Sequence, residues 1–169
     1  MALYFIANGP MQTTAAFAPV PTGSAIKTLL QFQPSATIVA KIKEWGISFD
    51  GSAAATPIKV ELIETDVAAT VTASATADIT KLDGNALSGG NPVTNLIQVG
   101  VSNTGYTASA EGTIAAVRNF DLQLIAPTNQ YLKQFPLGLE PVIQLSKFAR
   151  IRVTAAVTVN AICYMIVEI

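Results

Sequence analysis

Histidine is absent from this sequence, so a Ser-His-Asp or Cys-His arrangement, a histidine-bearing zinc site and an imidazole acid or base are all excluded. Cysteine occurs once, as Cys163, which excludes an internal disulfide and any multi-cysteine metal site. Charge is scarce as well. Only 12% of residues are charged, 10 basic against 11 acidic, roughly half the ~25% usual for soluble domains. Basic residues never cluster more closely than Lys41 with Lys43 and Arg150 with Arg152, so no nucleic-acid partner is expected. No apolar run reaches the roughly 18 residues of a membrane-spanning helix. The longest candidate, residues 153–167, contains Thr154, Thr158 and Asn160, and no membrane partner is expected. The uncharged first 26 residues lack a basic start and are broken by Gly9, Pro10, Pro19, Pro21 and Gly23. A signal peptide is not built that way, and the segment is read as mature protein.

What remains is a chain of 169 residues, 50% hydrophobic, with a mean hydropathy of +0.44. That length suits one domain with a substantial core. So little charge leaves a surface of small, neutral and apolar side chains, which favours burial between subunits. Helical periodicity is hard to find. Short runs of β-branched and aromatic residues recur between Gly, Pro, Asn and Asp, as strands and turns do. The expected fold is all-β, an antiparallel β-sandwich with jelly-roll-like character, with a closed barrel as the weaker alternative.

Along the chain, residues 1–25 are expected to form an extended N-terminal arm or edge strand, because Pro10, Pro19 and Pro21 withhold backbone donors that a central strand needs. Residues 26–169 form the sandwich. Between 37 and 50 the alternation first aligns Ile38, Ala40 and Ile42, then changes phase to align Trp45, Ile47 and Phe49, which suggests a bulge beside Gly46. Ile58, Val60 and Leu62 share the next strand face, opposed by Lys59 and Glu61. Residues 66–112 are rich in Ala, Thr, Ser, Asn and Gly and read as an insertion or long loop. A structureless connection of that length is unusual, so short strands, such as one over 96–101, are expected within it. Further on, Phe120, Leu122 and Leu124 oppose Asp121 and Gln123, and Arg150 and Arg152 share a strand face turned to water or a partner. The last run is apolar on both faces from Ala161 to Val167, the pattern of a strand covered on two sides.

The conventional catalysts left are carboxylates, of which Glu61, Glu64 and Asp66 are closest in sequence. A strand sends Glu61 and Glu64 to opposite faces, and solvated strand charges explain them better than a glycosidase pair does. Asp83-Gly84-Asn85 lacks the later acidic ligands of a calcium loop. Gly89-Gly90-Asn91 lacks the Lys-Ser/Thr and helix of a phosphate loop. Both are better explained as turns. Cys163 sits in an apolar run and reads as a buried, inert thiol. The residues call for no cofactor and no metal. Trp45, Phe49, Phe120 and Tyr164 read as core, with a sugar-stacking platform as the alternative.

Several segments are distinctive together: Lys27-Thr28-Leu29-Leu30-Gln31, Glu44-Trp45-Gly46-Ile47-Ser48-Phe49-Asp50-Gly51 and Pro57-Ile58-Lys59-Val60-Glu61-Leu62, then Pro136-Leu137-Gly138-Leu139-Glu140, Arg150-Ile151-Arg152-Val153-Thr154-Ala155 and Val159-Asn160-Ala161. In this order they resemble a family of small tailed-bacteriophage virion structural proteins. The likeness covers most of the chain and is weakest over the N-terminal arm and residues 66–112. It implies a non-enzymatic β-sandwich of the virion: a capsid decoration or cement protein that forms a homotrimer and clamps the phage major capsid protein on the head surface. Other virion parts (major capsid, tail or head fibre) and a carbohydrate-binding β-sandwich are the alternatives. The contact residues expected on this view are Leu3, Phe5, Phe17, Pro19, Pro21, Arg150, Arg152 and Tyr164. The trimer core would use the C-terminal strand and the Trp45 face, and residues 1–24 and the middle segment would reach the capsid or an adjacent trimer.

Overall fold

The computed structural model describes residues 2–52, 56–82 and 96–169. The expected turns at Asp83-Gly84-Asn85 and Gly89-Gly90-Asn91, and the middle of the loop after Asp50-Gly51, lie outside the described residues. The chain is an all-β sandwich of two antiparallel sheets. Its strands are β1 (Leu3–Ala7), β2 (Val20–Pro21), β3 (Ile26–Phe32), β4 (Ala40–Phe49), β5 (Ile58–Thr65), β6 (Thr70–Ala73), β7 (Thr80–Lys81), β8 (Gly105–Ala110), β9 (Val117–Ile125), β10 (Gln130–Gln134), β11 (Val142–Ile143), β12 (Phe148–Thr154) and β13 (Asn160–Glu168). The first sheet runs β10-β4-β13-β1-β7, with β11 paired to β4 and β2 to β13; the second runs β6-β8-β3-β12-β5-β9.

The core lies between the sheets. From the first come Tyr4, Ile6, Trp45, Ile47, Cys163, Met165 and Val167; from the second, Leu30, Phe32, Val60, Leu62, Ile151 and Val153. Each set follows the two-residue period that puts alternate side chains on one face. In β4 the alternation changes phase as the sequence indicates, but the extra residue is Lys43: Glu44 opposes Ile166 while Ile42 opposes Val167. That bulge lets Ile42 and Trp45 both face inward. Ile38, expected on the same face as Ala40 and Ile42, lies before the strand and is exposed.

The first 25 residues divide in two. β1 lies inside the first sheet, between β13 and β7, with Tyr4 and Ile6 in the core. Residues 10–16 are exposed, and the Phe17 ring closes back on Gly9, where an added Cβ would sit 2.6 Å from Cζ. The middle segment contains β6, β7, β8 and a short 3-10 turn at Thr76–Asp78. Ile97 and Val99 make only isolated bridges, to Pro34 and Thr104, where a strand over 96–101 was expected.

One expectation is corrected, that for Arg150, and the facing of β9, which the sequence left open, is unusual. In β9 the apolar side faces out: Leu122 and Leu124 are 55% and 69% exposed, and Asp121 is buried. The cause is the neighbouring sheet edge. Asp121 accepts hydrogen bonds from the Tyr131 hydroxyl at 2.9 Å and the Gln123 amide at 2.8 Å, with Lys133 Nζ 3.4 Å away, so polar groups close the gap between β9 and β10. Arg150, expected to face water or a partner, is fully buried. The connection after β5 crosses the outer face of the second sheet and covers it. The Arg150 guanidinium donates to the Val67 carbonyl and, at 3.0 Å, to the Glu111 carbonyl.

Candidate docking face

The outer face of the first sheet is built from the side chains that alternate with the core. Strand register sets them in rows. One row crosses Ala7, Tyr164, Gly46 and Leu132; the next crosses Phe5, Ile166, Glu44 and Gln134; Ile162 lies opposite Ser48. Leu3 extends the apolar area toward Glu168. The rings of Phe5 and Tyr164 stack with centroids 5.2 Å apart. Tyr164 lies over Gly46, where a Cβ would come within 2.6 Å of its ring; glycine is required here by close approach rather than by backbone angle.

The one carboxylate within these rows has both oxygens engaged by its neighbours. Glu44 accepts from the Tyr164 hydroxyl at 2.5 Å and from the Gln134 amide at 2.5 Å. Burial and this carboxylate together push the Tyr164 phenol well above its ordinary value, so it stays a neutral donor. Charge of both signs gathers at one rim. Lys43 Nζ bridges Glu140 at 2.8 Å and Glu168 at 3.1 Å, and its hydrogen bond holds the Glu140 carboxyl down at about 2. A hollow beside the rim is lined by Leu3, Ile166, Gln134 and Leu137. Leu137 is 89% exposed, Leu132 57% and Ile162 37%.

Of the expected contact residues, the fold brings Leu3, Phe5 and Tyr164 together on this face. Phe17, Pro19 and Pro21 lie instead on the return path from β1 to β2, with Pro21 paired to Asn160. Arg152 is on the outer face of the second sheet, bonded to Glu61 at 2.7 Å. Arg150 is removed from the surface altogether, and burial lowers its guanidinium to about 10. Trp45 and Phe49 face the core, so the side of β4 available to a partner is the opposite one, with Glu44, Gly46 and Ser48. Leu132, Leu137, Ile162 and Ile166 were not singled out from sequence. The two-sided apolar run of β13 pointed to Ile162 and Ile166; no signal of comparable strength marks Leu132.

The carboxylates that chemistry would need are engaged structurally. Glu61 holds Arg152. Glu64, expected to be solvated, is buried and receives a two-pronged bond from Arg118 at 2.7 and 2.6 Å plus the Gln144 amide at 2.9 Å. Asp66 accepts from the amides of Ala115 and Ala116, which lower its carboxyl below the usual range. The small cavity of about 80 Å³ that Glu64 and Asp66 line with Arg118 and Lys147 is therefore a junction of tied groups. Cys163 is buried, and burial raises its thiol far from reactivity. Among the described residues there is no acidic or sulfur cluster fit for a metal ion, and no helix is long and apolar enough to cross a membrane. Compared with protein-family models, with curated proteins and with solved structures, the chain matches none.

Proposed function

We propose that the chain is a non-enzymatic structural protein of a tailed-phage virion. In this reading it is a capsid decoration protein that sits on the outside of the head as a homotrimer and braces contacts between major capsid proteins. The observation that carries the reading is the outer face of the first sheet, an apolar centre with its single carboxylate hydrogen-bonded and its other charges paired at a rim. This is the anatomy of a protein–protein contact, not of a cleft that activates a substrate. The segment likeness to virion structural proteins supports the same reading, as does the structural engagement of Glu61, Glu64 and Asp66.

The test uses phage heads that lack the protein. Purified chain added to them is expected to bind at a fixed ratio to the major capsid protein and to raise the temperature at which heads rupture. Heads that neither retain the chain nor gain rupture resistance would contradict the proposal.

A further inference from the structure

The edge of the second sheet folds back over that sheet. β8 pairs with β3 at Gly105 and Tyr106; past them its partner is β6, where residues 70–72 face 106–110 across an irregular register. The stretches 66–75 and 107–116 thereby lie as a strap over Gln31 and Arg150, which oppose each other on β3 and β12 and are fully buried. What holds the strap is polar. Gln31 accepts from the Ala69 amide at 2.8 Å, and Arg150 donates to the Val67 and Glu111 carbonyls. Glu111 accepts from the Thr28 amide at 2.5 Å and hydroxyl at 2.7 Å, and Asp66 accepts from the Ala115 and Ala116 amides. Its apolar part is small: Ala69, Val71 and Ala108 form a cluster of their own, apart from the main core.

The attachment is also strained. Thr107, where β8 leaves β3, stands at φ 51°, a left-handed backbone that a β-branched residue rarely adopts. Its hydroxyl, the Ser74 hydroxyl and Arg150 Nε are buried without a hydrogen-bond partner, as Trp45 Nε1 is in the core. Each such group costs free energy in the closed state that water would restore. Little apolar burial on a strained attachment is the mark of a segment that opens at lower free energy than the whole. We infer that the strap of residues 66–75 and 107–116 is a hinged cover, turning at Thr107, that lifts as one unit while both sheets stay folded and so bares Arg150. Opening withdraws Glu111 from the guanidinium and leaves it facing water. The inference concerns the second sheet alone and holds whether or not the chain binds a phage head.

The experiment is amide hydrogen exchange on the full chain in urea below the unfolding transition. The amides of Ala69, Val71 and Ala116 are expected to exchange at least about a hundredfold faster than the ladder amides of β5, β12 and β13, with one shared urea dependence smaller than theirs. The Thr28 amide, on β3 but held by Glu111, is expected to exchange with the strap. Phenylglyoxal, an arginine reagent, is expected to label Arg150 while the β13 amides remain protected. Glu111→Gln is expected to speed the strap amides about tenfold and leave those of β13 unchanged. Thr107→Gly is expected to slow them, because glycine takes this backbone without strain. Strap amides that share the rate and urea slope of β5 and β12, or that exchange independently of one another, overturn the inference. So does an Arg150 that is labelled only on global unfolding, and faster strap exchange in Thr107→Gly removes Thr107 as the hinge.

Discussion

Arg150 is a guanidinium in a place where strand alternation alone would put it in water. It survives burial because two carbonyls and the Glu111 carboxylate meet it, while Glu111 also accepts from the Thr28 amide at 2.5 Å and hydroxyl at 2.7 Å. Breaking such a set from one side leaves its partners unpaired, so Arg150→Ala is expected to cost about 3–5 kcal/mol, measured by urea unfolding. Sequence could not show this, because the cover comes from Val67 and Glu111, distant in the chain from residue 150. The tyrosines make a second prediction. Tyr131 is raised to about 12 by burial and the Asp121 carboxylate, and Tyr164 is raised further for like reasons. A phenol with a raised folded value favours the folded state while neutral. That contribution is whole below the unfolded value near 10 and is lost as pH climbs through the folded value. Burial raises Tyr106 as well, so an absorbance titration is expected to show at least three of the 4 tyrosines ionising late, with unfolding accompanying the latest; all four titrating as free tyrosine would contradict the assignment.

The strands that sequence located well are those whose alternation answers to the core alone. Ile58, Val60 and Leu62 are all buried, and the phase change in β4 was visible in its order of residues, with the bulge displaced to Lys43. β9 was legible as a strand but not in its facing, since its inner side meets Tyr131 and Lys133 instead of hydrocarbon. The two cases predict opposite outcomes in thermal or urea unfolding. Leu62→Ala is expected to cost about 2–5 kcal/mol, whereas Leu122→Lys is expected to change stability by no more than about 0.5 kcal/mol. The N-terminal residues divide in the same manner. A Gly/Ser replacement of the exposed residues 10–16 is expected to leave the thermal midpoint nearly unchanged. Removal of β1 takes Tyr4 and Ile6 from the core and is expected to prevent folding, so a truncation meant to test capsid contact must begin after residue 9.

The fold of the whole molecule was legible because turn residues and apolar alternation together specify a sandwich. The docking face was half legible. The two-sided run of β13 pointed to its outer side, but which strands would lie beside it depended on pairings over more than a hundred residues, Leu3 with Glu168 among them. Those pairings bring Leu132 and Glu44 into line with Tyr164 and leave Trp45 behind them in the core. The most direct check of this account is the thermal midpoint as a function of protein concentration, because an assembly that binds the folded state makes that midpoint rise by mass action. The wild-type midpoint is expected to climb steadily over a hundredfold range of concentration, and that of Leu132→Glu to stay flat at a lower temperature. A wild-type midpoint independent of concentration, and equal to that of the variant, would contradict a homotrimer assembled through the outer face of the first sheet.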